Sequence, residues 1–122
     1  NMTINIVKEN NIKIAIVNSQ EVIIKDVQSA LDFMMTMLYK TGCDRIIINK
    51  EAICEDFFDL KTKIAGEILQ KFVNYQVKIA IVGDFSKYSS KSLKDFIYES
   101  NNGNHFFFLP DELTAVRKLS SF

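Results

Sequence analysis

Apolar residues recur along this chain with two different periods. Near the start, "TINIVKENNIKIAIV" carries two β-branched runs, Thr3–Lys8 and Ile12–Val17. They are separated by "ENN", and asparagine tolerates the positive φ of a tight turn, so the stretch predicts an antiparallel hairpin. "EVIIK" follows as a short strand or extended segment. The period then lengthens. In "DVQSALDFMMTMLYKTG", Val27, Leu31, Met34, Met35 and Leu38 mark one face of a helix, with Asp26 placed to cap its start and Gly42 to end it.

Strand-like and helix-like stretches then alternate. "RIIIN" (Arg45–Asn49) precedes a long helix from about Asp56 to Tyr75, and "KIAIVGD" (Lys78–Asp84) precedes a helix from about Ser90 to Glu99. "HFFFL" (His105–Leu109) precedes "DELTAVRKL", with Pro110 where a helix start tolerates it. The three later strands are continuous apolar runs, as expected when both faces of a parallel sheet are covered. Strands alternating with helices imply right-handed βαβ crossovers. The predicted class is α/β: a mixed sheet, made of an N-terminal antiparallel hairpin and parallel βαβ units, with about four helices. Its layout is ββαβαβαβα, or βββαβαβαβα if "EVIIK" forms a strand.

Composition narrows the function more than the fold. A chain of 122 residues is the size of one domain, taken as residues 2–122, with Asn1 ahead of Met2 read as a cloning remnant. Nearly half the residues are apolar and a quarter charged, with a formal net charge of zero. Such a chain has no global field to draw in nucleic acid or an anionic membrane. No segment reaches the length of a membrane span, and nothing at the start reads as a signal peptide. The two cysteines, Cys43 and Cys54, lack CxxC spacing, and with the single His105 they cannot complete a zinc site. These features predict a reduced, cytoplasmic protein. There is no GxSxG, HExxH, Walker or GxGxxG motif, so no cofactor is expected and an enzyme is the less favoured class.

The candidate chemistry lies in two loops. In "NKEAICEDFFDLKTKIAGEILQKF", Asp56 can cap the long helix and Asp59 can complete a capping box. Asp59–Lys63 and Glu67–Lys71 then fall at i,i+4, and Phe57, Leu60, Ile64, Ile68 and Phe72 form the buried stripe. Gly66, unfavourable inside a helix, suggests a close backbone approach. Glu51 and Glu55 are not needed for the cap. They follow a strand's carboxyl end, where open α/β sheets build their sites. Carboxylates there repel a phosphate, so the expected occupant is a basic protein surface. A hard divalent cation is the weaker alternative, since DxDxDG spacing is absent. The second loop, "GDFSKYSSKSL", offers Ser86, Lys87, Tyr88, Ser89, Ser90, Lys91 and Ser92. Its serines read first as helix caps, with "SLKD" also matching a capping box, and second as docking or modification points. The candidate partner-binding surface is therefore Glu51, Glu55, Asp56, Asp59, Lys87, Ser89, Ser90 and Lys91. His105, Cys54 and the methionines of the first helix read as structural, and a homodimer through the sheet edge or first helix fits the same pattern.

The motifs "EDFFDLKT", "AGEILQKF" and "KSLKDFIYESN", in a run covering most of the chain, resemble an uncharacterised bacterial family, domain of unknown function 4180. The element layout also resembles the sulphate-transporter and anti-sigma-factor-antagonist (STAS-like) domain. The first resemblance implies a fold and no activity. The second implies a regulatory protein-interaction module, switched in the antagonist proteins by phosphorylation of a serine at the start of the helix after the third strand. The corresponding stretch here, "EDFFDLKT", has no serine, and Thr62 is its only hydroxyl. The leading expectation is thus a non-enzymatic protein-binding module. The alternative is a small-molecule or lipid binder, or a small enzyme, with a pocket at the strand carboxyl ends and a carboxylate of raised pKa in it.

Overall fold

Two adjacent asparagines turn the first hairpin. Asn10 and Asn11 both take positive φ, 52° and 67°, the pairing a two-residue hairpin needs to match strand twist. They join β1 (Met2–Glu9) to β2 (Ile12–Ser19) in an antiparallel register that runs from Glu9↔Ile12 to Met2↔Ser19. The computed structural model describes all 122 residues. After the hairpin come α1 (Val27–Thr41), β3 (Arg45–Asn49), α2 (Ile64–Tyr75), β4 (Lys78–Val82), α3 (Lys91–Asn101), β5 (Phe106–Leu109) and α4 (Glu112–Leu119). The strands form one five-stranded sheet in the order β1-β2-β3-β4-β5, with β2 to β5 all parallel. The α/β class, the hairpin and the four helices match the sequence expectation. "EVIIK" contributes one isolated bridge, Ile24 with Ile53, rather than a strand.

Alternation along each strand divides the core in two. One sheet face sends Val17, Ile46, Ile48, Ile79, Ile81, Phe106 and Phe108 against α1, α2 and α3, in a cluster of 21 buried residues. The opposite face sends Ile14, Ile16, Ile47, Ala80 and Phe107 against Ala115 and Leu119 of α4, in a cluster of seven. Three crossovers of one hand stack three helices on one side. The last helix must then return across the other. The caps read from sequence hold here: Asp26 accepts from Ser29 N in a capping box, and Gly42 ends α1 at φ 68°. Asp111 accepts from Thr114 N at the start of α4.

The sheet's two edges are treated differently. At β5, the Asn101 amide of α3 acts as a substitute strand: its Oδ1 accepts from Phe108 N at 2.7 Å, and its Nδ2 donates to Phe108 O at 3.1 Å. β1 has no such cover. In a two-residue hairpin the flanking pair exchanges both hydrogen bonds, so the backbone groups of Lys8, Ile6, Ile4 and Met2 point outward. No helix is long and apolar enough to cross a membrane.

The expected helix from Asp56 to Tyr75 is shorter than its pattern suggests. Residues 50–62 form three short 3-10 turns, and α2 starts only at Ile64, after Lys63 takes a left-handed conformation at φ 67°. Asp56 is therefore not the cap of α2, and Asp59 instead accepts from Lys61 N at 3.2 Å, capping the last 3-10 turn. The ion pairs Asp59–Lys63 and Glu67–Lys71 do not form, and the first depended on a helix continuous through Lys63. Gly66 meets no atom within 4 Å of where a Cβ would stand, so no close backbone approach explains it.

Candidate functional site

Parallel neighbours β3 and β4 end side by side, at Asn49 and Val82. The loops that follow them therefore leave the same edge, and they meet. Glu55, from the loop after β3, accepts from the Tyr88 hydroxyl at 3.0 Å and 3.2 Å on its two oxygens, and lies 3.4 Å from the Lys87 ammonium, both from the loop after β4. Lys50 joins them from below, its Nζ 3.5 Å from Glu55 Oε1. The same ammonium stands 5.3 Å from the Phe58 ring centre and 5.2 Å from that of Tyr88, two rings stacked on each other at 5.0 Å. Gly83 makes this arrangement fit. A Cβ there would stand 2.7 Å from Lys50 Cβ, inside any tolerable contact, so the lysine stem crosses the end of β4 only because nothing projects from it.

Electrostatics favour the ionised carboxylate. Burial works to raise the Glu55 pKa, but the Tyr88 hydroxyl, Lys50 and Lys87 together outweigh it and hold the group below its ordinary value. Tyr88 responds in the other direction. Burial first, then its bond to Glu55, pushes the phenol up to about 12, so it stays a donor throughout the neutral range. Glu51 faces elsewhere: its own backbone N–H and then the Asn49 amide lower its pKa, with Asn49 Nδ2 donating to it at 3.1 Å. Asn49 also accepts from Ser19 N at 2.9 Å and donates to Ser19 O at 2.6 Å, joining the ends of β2 and β3.

Of the residues singled out in the sequence, Glu55 and Lys87 are in direct contact, and Glu51, Asp56 and Asp59 share the loop of Glu55. Ser90 caps α3 by accepting from Leu93 N at 3.2 Å, and Lys91 pairs with Asp95 at 2.8 Å. The cap is Ser90 rather than Ser92, so the "SLKD" box does not form. Asp56, Lys87 and Ser89 are exposed on this edge. The centre of the cluster is made by Tyr88, which the second loop offered, and by two residues the sequence had not marked, Lys50 and Phe58. Thr62 donates to the carbonyls of Asp56 and Asp59, both at 2.8 Å, so its hydroxyl is occupied in holding the 3-10 turns.

Chemically, the cluster is a carboxylate already satisfied by one phenol and two ammonium groups. It holds neither a nucleophile paired with a base nor a carboxylate with its pKa raised for proton transfer. Beside it, Gly83, Asp84, Phe85, Phe108, Leu109 and Pro110 line an open depression of about 410 Å³ at the carboxyl ends of β4 and β5. Its one acid, Asp84, is held below its ordinary pKa by the side chain and backbone of Ser86. No group of three or more His, Cys, Asp or Glu side chains is assembled that could hold a metal. Cys54 Sγ lies 3.3 Å from the Lys25 carbonyl, and Cys43 is buried.

No curated protein matches this chain, and no solved structure matches it. A family model described as a domain of unknown function, DUF4180, matches residues 9–119. The match runs from the end of β1 to the last residue of α4 and takes in both loops of the cluster. This chain belongs to the DUF4180 family.

Proposed function

We propose that this protein is a non-enzymatic, cytoplasmic regulatory module that docks another protein on the edge formed by the 50–61 and 85–92 loops. The contact of Glu55 with Lys87 and Tyr88 supports the reading, because it ties two polar loops into one pre-formed surface. A surface already ordered loses little conformational freedom on binding. Exposed Asp56, Lys87 and Ser89 around it offer charges of both signs and a free hydroxyl to a mixed-charge partner. Two unpaired thiols agree with a reducing compartment. The analogy with antagonist domains extends to the docking role and stops short of the phosphoswitch, for which Thr62 is badly placed. The small-molecule alternative at the same edge has less support. Three carboxylates there, Glu51, Glu55 and Asp84, have lowered pKa values, the opposite of what an acid–base pocket requires. Self-association is a separate proposal, and the uncovered edge of β1 is its natural locus.

The test is affinity capture compared across charge variants, each checked for folding by its thermal melt. Asp56→Lys with Lys87→Glu reverses two exposed charges without touching a buried bond. Lys13→Glu, on β2, serves as the distant control. A partner retained by wild type and Lys13→Glu but lost by the double variant supports the docking edge. A partner held equally by all three overturns it.

A further inference from the structure

Away from that edge, at the amino end of β5, a cavity of about 340 Å³ opens between α2 and α3. Leu69 and Val73 of α2, Phe96 of α3 and Phe106 of β5 form its apolar wall. A cavity of this size with a mainly apolar wall and a few polar groups has the make-up of a small-molecule site. What distinguishes it from a packing gap is Ser100. Four polar residues are buried in this protein: Ser19, Asn49, Ser100 and Ser120. Ser19 Oγ donates to Glu21 O at 2.8 Å, Ser120 Oγ donates to Arg117 O at 3.2 Å, and Asn49 is bonded through both amide atoms. The Ser100 hydroxyl bonds to nothing, although a helical serine can bond back to the preceding turn. No side-chain N or O is sealed away unpartnered, so this oxygen reaches open space, and the space it lines is the cavity.

His105 lines the same cavity, and its ring also makes no hydrogen bond. Burial, and then the charge of Lys78, lowers its pKa, so the imidazole is neutral at pH 7 and offers one N–H and one lone pair. Lys78 itself is not on the lining, its ammonium donating to the Asn104 carbonyl and lying 4.2 Å from the Phe122 ring centre. The single acidic side chain on the lining is Glu99, which disfavours an anion. We propose that this cavity binds a small neutral molecule with an aromatic or aliphatic body and one hydroxyl or carbonyl oxygen. The body lies against Leu69, Val73, Phe96 and Phe106, and the oxygen meets Ser100 and His105. The site is independent of the docking edge, and neither reading falls with the other.

The experiment is an amide NMR titration of the full chain with three probes of one shape: benzyl alcohol, toluene and benzoate. Benzyl alcohol is expected to shift the amides of α2, α3 and residues 103–106 saturably and to bind more tightly than benzoate. Ser100→Ala keeps the cavity and removes the hydroxyl. It is expected to weaken benzyl alcohol about fivefold, the worth of one hydrogen bond, and to leave toluene unchanged. Val73→Phe fills the cavity and abolishes both. The proposal is overturned if benzyl alcohol shifts none of these amides up to its solubility limit, if Ser100→Ala binds it as wild type does, or if benzoate binds more tightly.

Discussion

Asn49 and Ser100 are both polar, both 8 % exposed and both set against apolar neighbours, yet their side chains are in opposite condition. Asn49 stands at the carboxyl end of β3 and bonds to the N–H and C=O of Ser19 and to Glu51. Ser100 stands near the amino end of β5, and its hydroxyl bonds to nothing. The surroundings differ in the same way. At the carboxyl ends Glu55, Tyr88, Lys50 and Lys87 satisfy one another across two loops. At the amino end the ring of His105 and the hydroxyl of Ser100 face a space with no protein partner. A bonded polar group fixes backbone, and removing it costs stability. An unbonded one contributes nothing to the fold, and its capacity is available to something else.

That contrast can be broken or sharpened by four substitutions. The largest effect is expected from Phe58→Ala. Its ring is buried under the cluster, stacked on Tyr88 and edge-on to Phe57 at 5.0 Å, so truncation should cost about 3–5 kcal/mol in denaturant unfolding. It should also release the two loops from each other, which amide NMR would show as broadening in both. Next comes Asn49→Ala. It leaves the N–H and C=O of Ser19 without partners in a buried setting, at a cost of about 1–3 kcal/mol by the same measurement.

Tyr88→Phe is smaller and depends on pH. Removing the hydroxyl should cost about 1 kcal/mol at neutral pH. The sign at each extreme follows from linkage. The depressed pKa of Glu55 gives stability that is present above the ordinary glutamate range and lost as pH falls through the folded value. The raised pKa of Tyr88 gives stability that is present below the ordinary phenol value and lost as pH rises through about 12. The variant should therefore have a flatter stability profile at both ends, and carbon-detected titration should find Glu55 moved back toward its usual pKa. Ser100→Ala is the smallest. Since no bond is lost, its unfolding midpoint should agree with wild type to within about 0.5 kcal/mol. A loss comparable with that of Asn49→Ala would erase the distinction.

Much of the fold was legible because it is written in local pattern. The hairpin turn needed two residues that accept positive φ, and Asn10–Asn11 are such a pair. The parallel strands announced themselves as unbroken apolar runs, and Asp26 and Gly42 do what capping residues do. The stretch from Lys50 to Lys63 was not legible, for a tertiary reason. Its capping pattern suits a helix, but Phe57 and Phe58 are adjacent and both must be buried. Phe57 turns to Phe106 and Phe108, while Phe58 turns to Phe85 and Tyr88. The chain before them is also pinned, with Cys54 N donating to Ile24 O at 2.9 Å, so the helix cannot begin until Ile64. The meeting of the two candidate loops followed from neighbouring parallel strands. The Lys50, Phe58 and Tyr88 centre did not, since ring stacking across thirty residues leaves no local signal. Ser100 looks like any helical serine until its missing bond is seen.

The order of the strands has a consequence for how the chain is made. Because β1 to β5 lie in the sheet in the order in which they occur in the sequence, no strand has to be inserted between two others. Synthesis proceeds from the amino terminus, and each strand that leaves the ribosome finds the edge it will join already translated. The asparagine amide that covers the last edge, Asn101, is also translated before the strand it covers, so the growing sheet closes at the far side as soon as β5 arrives.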